Sequence, residues 1–159
     1  MKVCVFPGTF NPFTKGHLDI VERASKLFDR VVVAAAEETG KAGVISVKHR
    51  VALIEKCVSR FKNVAVKGFS GLLVDFCKAE GSDVIVRGIR NYNDFLLENT
   101  LSYINKRLSD NIETVFLITS QEHSHISSSF VRDLIKYKAD ITSFVPAEIK
   151  EDLIKLYRE

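Results

Sequence analysis

Five short apolar runs, separated by stretches in which apolar residues recur at helical spacing, restrict the folds open to this chain more than any other feature of its sequence. Val3 to Phe6, Val31 to Ala36, Val64 to Lys67, Val84 to Arg87 and Thr114 to Ile118 read as strands. The unbroken apolar run Val3 to Phe6, closed by Pro7-Gly8, marks a strand covered on both faces, as in a parallel sheet. After the first of them, Leu18, Ile20, Val21, Ala24, Leu27 and Phe28 recur at helical spacing behind Thr14 as N-cap, with Asp19, Glu22, Arg23 and Lys26 opposite. Further helices are predicted over Val47 to Phe61 behind Ser46, Leu72 to Glu80 stopped by Gly81, Asn93 to Leu108, Ser128 to Lys136 and Ala147 to Leu156. Strand and helix in alternation predict right-handed crossovers and hence an α/β fold, a doubly wound five-stranded parallel sheet with helices on both faces. Ligands of such sheets bind beyond the carboxyl ends of the strands, where strand order reverses. The loops that follow strands are therefore the places to look for chemistry.

A chain of 159 residues fits a single domain spanning 1–159, large enough to bury about two thirds of the surface its unfolded form exposes. With 46% hydrophobic and 27% charged residues it has the profile of a folded globular protein rather than a disordered one. Lys and Arg total 23 against 20 Asp and Glu, a surplus too small to indicate a nucleic-acid partner by bulk charge, and none is expected. Cys4, Cys57 and Cys77 are odd in number and far apart, which argues against a disulfide framework or a structural zinc site and predicts buried, reduced thiols. The apolar run before Pro7-Gly8 is far too short for a signal peptide or a membrane span. A cytoplasmic protein without membrane contact is expected.

Three strand-following loops carry phosphate-binding chemistry. Gly8 to His17 joins a strand to a helix N-terminus, where free N–H groups and the positive end of the helix dipole favour an anion. Thr9 adds a hydroxyl, and His17 lies in the helix's first turn, in reach of the same phosphates. Arg87-Gly88-Ile89-Arg90 brackets a glycine with two guanidinium groups, each suited to bidentate phosphate recognition. His123-Ser124-His125-Ile126-Ser127-Ser128-Ser129 places a serine cluster at the start of a helix after the last strand. Lys41 follows the second strand, in position to fold over a polyphosphate. Glu98 is open to two readings, a ribose hydroxyl or a surface cation such as Lys106. The histidines lack the neighbours a metal site needs, and no protein-held metal is expected.

Taken together, these segments resemble the nucleotidyltransferase superfamily with its His-x-Gly-His or Thr-x-Gly-His signature, and within it the bacterial phosphopantetheine adenylyltransferases. The resemblance runs nearly the full length, through Pro7-Gly8-Thr9-Phe10-Asn11-Pro12, Thr14-Lys15-Gly16-His17, Gly68-Phe69-Ser70, Arg87 to Arg90 with Asp94-Phe95, and Ile126 to Ser129. It implies a Rossmann-like domain that moves AMP reversibly from Mg-ATP to 4'-phosphopantetheine, giving dephospho-coenzyme A and pyrophosphate, in a homo-oligomer that in relatives is a hexamer. By that resemblance His17, Lys41 and Arg90 are the catalytic set. Thr9, Phe10, His17, Gly88, Ile89, Arg90, Glu98 and His123 to Ser129 (His123, Ser124, His125, Ile126, Ser127, Ser128, Ser129) bind ATP. Thr9, Lys41, Leu73 and Arg87 bind the acceptor, and Mg²⁺ is held mainly by the ATP phosphates. The chain departs from many relatives at Asn11, Gly71, His123 and His125. Nicotinate or nicotinamide mononucleotide adenylyltransferases share the loop but usually keep His where this chain has Thr14, and a non-catalytic nucleotide-binding module is the alternative from another class.

Overall fold

A computed structural model describes residues 1–37 and 45–157. The elements run β1 (Val3–Gly8), α1 (Lys15–Leu27), β2 (Arg30–Ala36), α2 (Val47–Val58), β3 (Val64–Phe69), α3 (Leu73–Ala79), β4 (Val84–Ile89), α4 (Tyr92–Leu108), β5 (Glu113–Ile118), α5 (Ser128–Lys136) and α6 (Lys150–Leu156), with short 3-10 helices at Gln121–His123 and Ala147–Ile149. The five strands form one parallel sheet in the order β3-β2-β1-β4-β5. Strand order thus reverses between β1 and β4, as the doubly wound reading required.

The sheet is covered on both faces because alternate side chains of the central strands feed two separate cores. Cys4, Phe6, Val31 and Val33 join Ile20, Val21 and Ala24 of α1, Leu53 and Ile54 of α2, Val131 of α5 and Leu153 of α6. Val3, Val5, Val32 and Ala34 point the other way, against Val74 and Cys77 of α3. Leu27, expected on the buried stripe of α1, is 61% exposed at the helix end. All three thiols are free and buried, and desolvation pushes them up, Cys4 and Cys57 to about 12 and Cys77 to about 11.

Local signals placed most helix starts. Thr14, Ser46, Asn91 and Ser127 each accept a hydrogen bond from the backbone three residues on, which satisfies an otherwise orphaned N–H. Gly81, at φ +68, ends α3 in the left-handed region that favours glycine. Strand ends were less legible. Strands β1, β3 and β4 each run two residues past the predicted end, because pairing with a neighbour carries the ladder through Pro7-Gly8, Gly68-Phe69 and Gly88-Ile89. Helix α2 stops three residues short, at Val58, and the last helix opens with a 3-10 turn.

Candidate active site

Strands β1 and β4 are partners only over Cys4–Val84 and Val5–Ile85. Beyond Val5 they part, and Pro7, still paired with β2, has no N–H to offer β4. The Arg87 guanidinium spans the gap, donating from Nη1 to the Pro7 carbonyl. Above it opens a cleft of about 540 Å³, walled by Gly8 to Asn11, the first turn of α1, the end of β4, Asp94 and Glu98 of α4, and Ile126 to Ser129 with Arg132. The three strand-following loops therefore meet in one place.

The β1–α1 loop turns back on itself at Phe10, which has φ +52 and is buried. A Cβ on Gly8 would stand 2.8 Å from the Phe10 ring, a reason for glycine that the sequence did not suggest. His17 sits against this aromatic bed, with ring centroids 5.0 Å from Phe10 and 5.5 Å from Phe13. The Thr14 N–H donates to His17 Nδ1 at 3.0 Å, and the His17 N–H donates back to Thr14 Oγ1 at 3.4 Å. This is a reciprocal capping box with His in the place usually held by Glu or Gln. Because Nδ1 accepts a backbone N–H, the neutral ring carries its proton on Nε2. Burial, followed by the positive charges of Arg90 and Arg87, holds the imidazole down at about 3. At neutral pH His17 is an uncharged ring with one N–H to offer, a hydrogen-bond donor rather than a proton source.

Both cleft arginines are held at fixed angles. Arg87 is bidentate to Glu98, with Nε to Oε2 at 2.6 Å and Nη2 to Oε1. Arg90 is bidentate to Asp94, at 2.8 and 3.1 Å, and its Nη1 donates to the Ile126 carbonyl at 2.8 Å. Glu98 thus pairs with Arg87, while Lys106 goes to Glu113. Partial burial pushes the Asp94 carboxyl up, but the hydrogen bonds and charge of Arg90, with Arg87 behind it, outweigh this and leave it below the usual carboxylate range. Each guanidinium has five N–H donors, and the Nη N–H groups left over are held at set angles, so an anion binds them with little ordering cost.

Of the predicted residues, Thr9, Phe10, His17, Arg87, Gly88, Arg90, Glu98 and Ile126 to Ser129 line this cleft. Ile89 is buried within β4. His123 and Ser124 lie on and just after the 3-10 turn behind Gly16, and the His125 ring packs edge-on against Phe144 at 6.1 Å. Lys41 falls outside the described residues. Leu73 lines a smaller neighbouring pocket of about 200 Å³ with Leu101, Ser102, Asn105 and Thr114. Arg87 and Glu98 line both cavities, so their ion pair is the shared wall.

Residues 5–134 match the family model described as cytidylyltransferase-like. A Clostridium perfringens protein named phosphopantetheine adenylyltransferase is 48% identical over 153 residues, covering 96% of this chain and 93% of the relative. The chain belongs to the phosphopantetheine adenylyltransferase family. A member of that name from Alkaliphilus metalliredigens is 40% identical, over 98% of this chain and 99% of its own. A crystal structure of a Vibrio parahaemolyticus protein provisionally named nicotinate-nucleotide adenylyltransferase aligns over 100% of this chain and 97% of its own, with a TM-score of 0.73. At 20% identity that likeness speaks for the fold alone.

Sequence reasoning missed Arg132. It lines the cleft and donates from Nη1 to the Asn11 carbonyl at 2.6 Å, beside Ser128, whose hydroxyl donates to the Pro12 carbonyl at 2.8 Å. The signal was present, since Ser128 and Arg132 stand four apart and share one face of α5. The carbonyl partners lay more than a hundred residues away in sequence.

Proposed function

We propose that this cleft transfers the adenylyl group of ATP to 4'-phosphopantetheine, releasing pyrophosphate and forming dephospho-coenzyme A in a reversible reaction. The observation that carries the reading is the wall shared by two cavities. The larger, polar cleft suits the triphosphate, and the smaller pocket beside Leu73 suits the pantetheine arm, which brings the acceptor phosphate to Arg87. In the reaction an acceptor phosphate oxygen forms a bond to the α-phosphorus as the bond from that phosphorus to the pyrophosphate oxygen breaks.

The acceptor phosphate is already ionised near neutral pH, so no general base is required. The protein's task is in-line positioning and relief of negative charge. The His17 Nε2–H and the remaining N–H groups of Arg90 are suited to that charge, and Ser127 to Ser129 with the N-terminus of α5 suit the phosphates of ATP. Lys41, by the family resemblance, acts on the acceptor side. Asp94 and Glu98, the carboxylates of the cleft, each lie against an arginine, so Mg²⁺ is best accommodated on the ATP phosphates themselves. When bound there it neutralises charge on the departing pyrophosphate.

The enzyme also assembles with copies of itself in this reading. Leu97, Leu101, Ile104 and Leu108 recur along one stripe of α4 and are 38 to 61% exposed, more apolar surface than a lone helix leaves open without a partner.

Pyrophosphate release from Mg-ATP is measured against a panel of 4'-phosphopantetheine, nicotinate mononucleotide and glycerol 3-phosphate. Activity with the first is expected. Turnover only with nicotinate mononucleotide would replace the acceptor, and ATP binding without turnover on any acceptor would leave a nucleotide-binding module.

A further inference from the structure

Arg50 is 2% exposed and sits in the first turn of α2, the end of a helix where a cation is least favoured. A leucine or methionine would fill that volume without burying a charge. What the guanidinium does instead is gather backbone carbonyls from three parts of the chain. Nε donates to Ile45 at 2.8 Å, and Nη1 donates to Ala36 at 2.8 Å and to Thr9. Ala36 ends β2, and Ile45 leads into α2. Thr9 belongs to the phosphate loop. A second tie runs the same way, from the Ile45 N–H to Asn11 Oδ1 at 3.3 Å.

The Thr9 carbonyl is the informative one. In a trans peptide the C=O and the following N–H point in opposite directions. Drawing the Thr9 carbonyl inward to Arg50 turns the Phe10 N–H to the other side of the peptide plane, and Phe10 is the residue held at φ +52. Such a conformation costs about 1–3 kcal/mol in a non-glycine residue and persists only where the surroundings enforce it.

We propose that Arg50 is a positioning residue for adenylyl transfer. By clamping the Thr9 carbonyl to the ends of β2 and α2, it aims the Thr9–Phe10 peptide N–H at the phosphate that becomes most negative in the transition state. The proposal rests on the adenylyl-transfer reading and adds a residue outside the cleft lining.

The test compares Arg50→Met and Arg50→Lys with the wild type, with kcat, KM for ATP, equilibrium ATP affinity and thermal unfolding measured on each protein. If Arg50 acts through the Thr9–Phe10 turn, folded Arg50→Met loses about 10- to 100-fold in kcat. Arg50→Lys, which keeps the charge and some carbonyl contacts, retains an intermediate rate and carries the test if the methionine variant does not fold. An unchanged kcat in a folded variant would overturn the proposal. If the wild type binds ATP but transfers nothing to 4'-phosphopantetheine, the function reading fails. The brace is then judged on ATP affinity, which Arg50→Met lowers at least tenfold if the turn is held as described and leaves unchanged if it is not.

Discussion

An imidazole in water gains its proton near pH 6.5, and His17 has been taken out of that range by burial and by two neighbouring arginines. Its usefulness follows from what remains. With Nδ1 committed to the Thr14 backbone, the ring has one direction in which to donate and no second tautomer compatible with that bond. A donor fixed before the substrate arrives serves the transition state more than the ground state. Accordingly, His17→Ala is expected to lower kcat by about 10²- to 10³-fold with a smaller change in KM for ATP. Steady-state kinetics over a range of ATP decide it, and a loss confined to KM would assign the ring to ground-state binding. Sequence placed His17 in the right turn of the right helix. What it could not supply was the tautomer, because that depends on a reciprocal bond with Thr14 and on the packing of Phe6, Phe10 and Phe13 around the ring.

Helix α4 inverts the usual amphipathic arrangement, with Glu98 its buried residue among those described and leucines on its surface. Glu98 is inward because Arg87, at the end of β4, needs a bidentate partner where water is scarce. Glu98→Gln keeps the shape and removes the charge, so it should cost about 1–3 kcal/mol, partly offset because the cleft admits water to Arg87. Urea unfolding with an unchanged slope checks this, and an unchanged midpoint would mean that the pair is energetically idle. On the outer stripe, Leu97→Glu with Ile104→Glu should shrink the particle seen by light scattering while leaving the secondary structure intact. An unaltered mass would place self-association elsewhere. The element-level reading of the sequence succeeded where a local signal exists, as at Thr14, Ser46 and Gly81. It fell short at strand ends, where Pro7 and the glycines read as turns although a neighbouring strand holds them in the ladder.

At the scale of the whole molecule, alternation of strand and helix was enough to foresee the sheet and to say at which edge the cleft opens, since both follow from connectivity and handedness. The convergence of Arg132 and Ser128 on Asn11 and Pro12, and of Arg50 on Thr9, was not legible, because backbone carbonyls have no signature in a sequence. Global stability also registers the buried His17. The unfolded ring binds a proton below about pH 6.5, while the folded one does not until about 3. Between those values the unfolded chain holds more protons, so this contribution is complete above the upper value and is lost as pH falls toward the lower. Denaturation midpoints taken from about pH 7 down to about pH 5 should therefore fall further for wild type than for His17→Asn, and parallel curves would contradict a neutral buried ring.

The ion pair between Arg87 and Glu98 separates two cavities while belonging to both. A partition of that kind lets one side be inherited unchanged as the other is rewritten. In the proposed reading, substitutions at Leu73, Leu101, Ser102 or Asn105 alter the shape offered to an acceptor's tail without touching the turn that holds His17. Selectivity and chemistry can then drift at different rates within one small sheet, and descendants of such a chain can exchange acceptors while keeping the same way of breaking ATP.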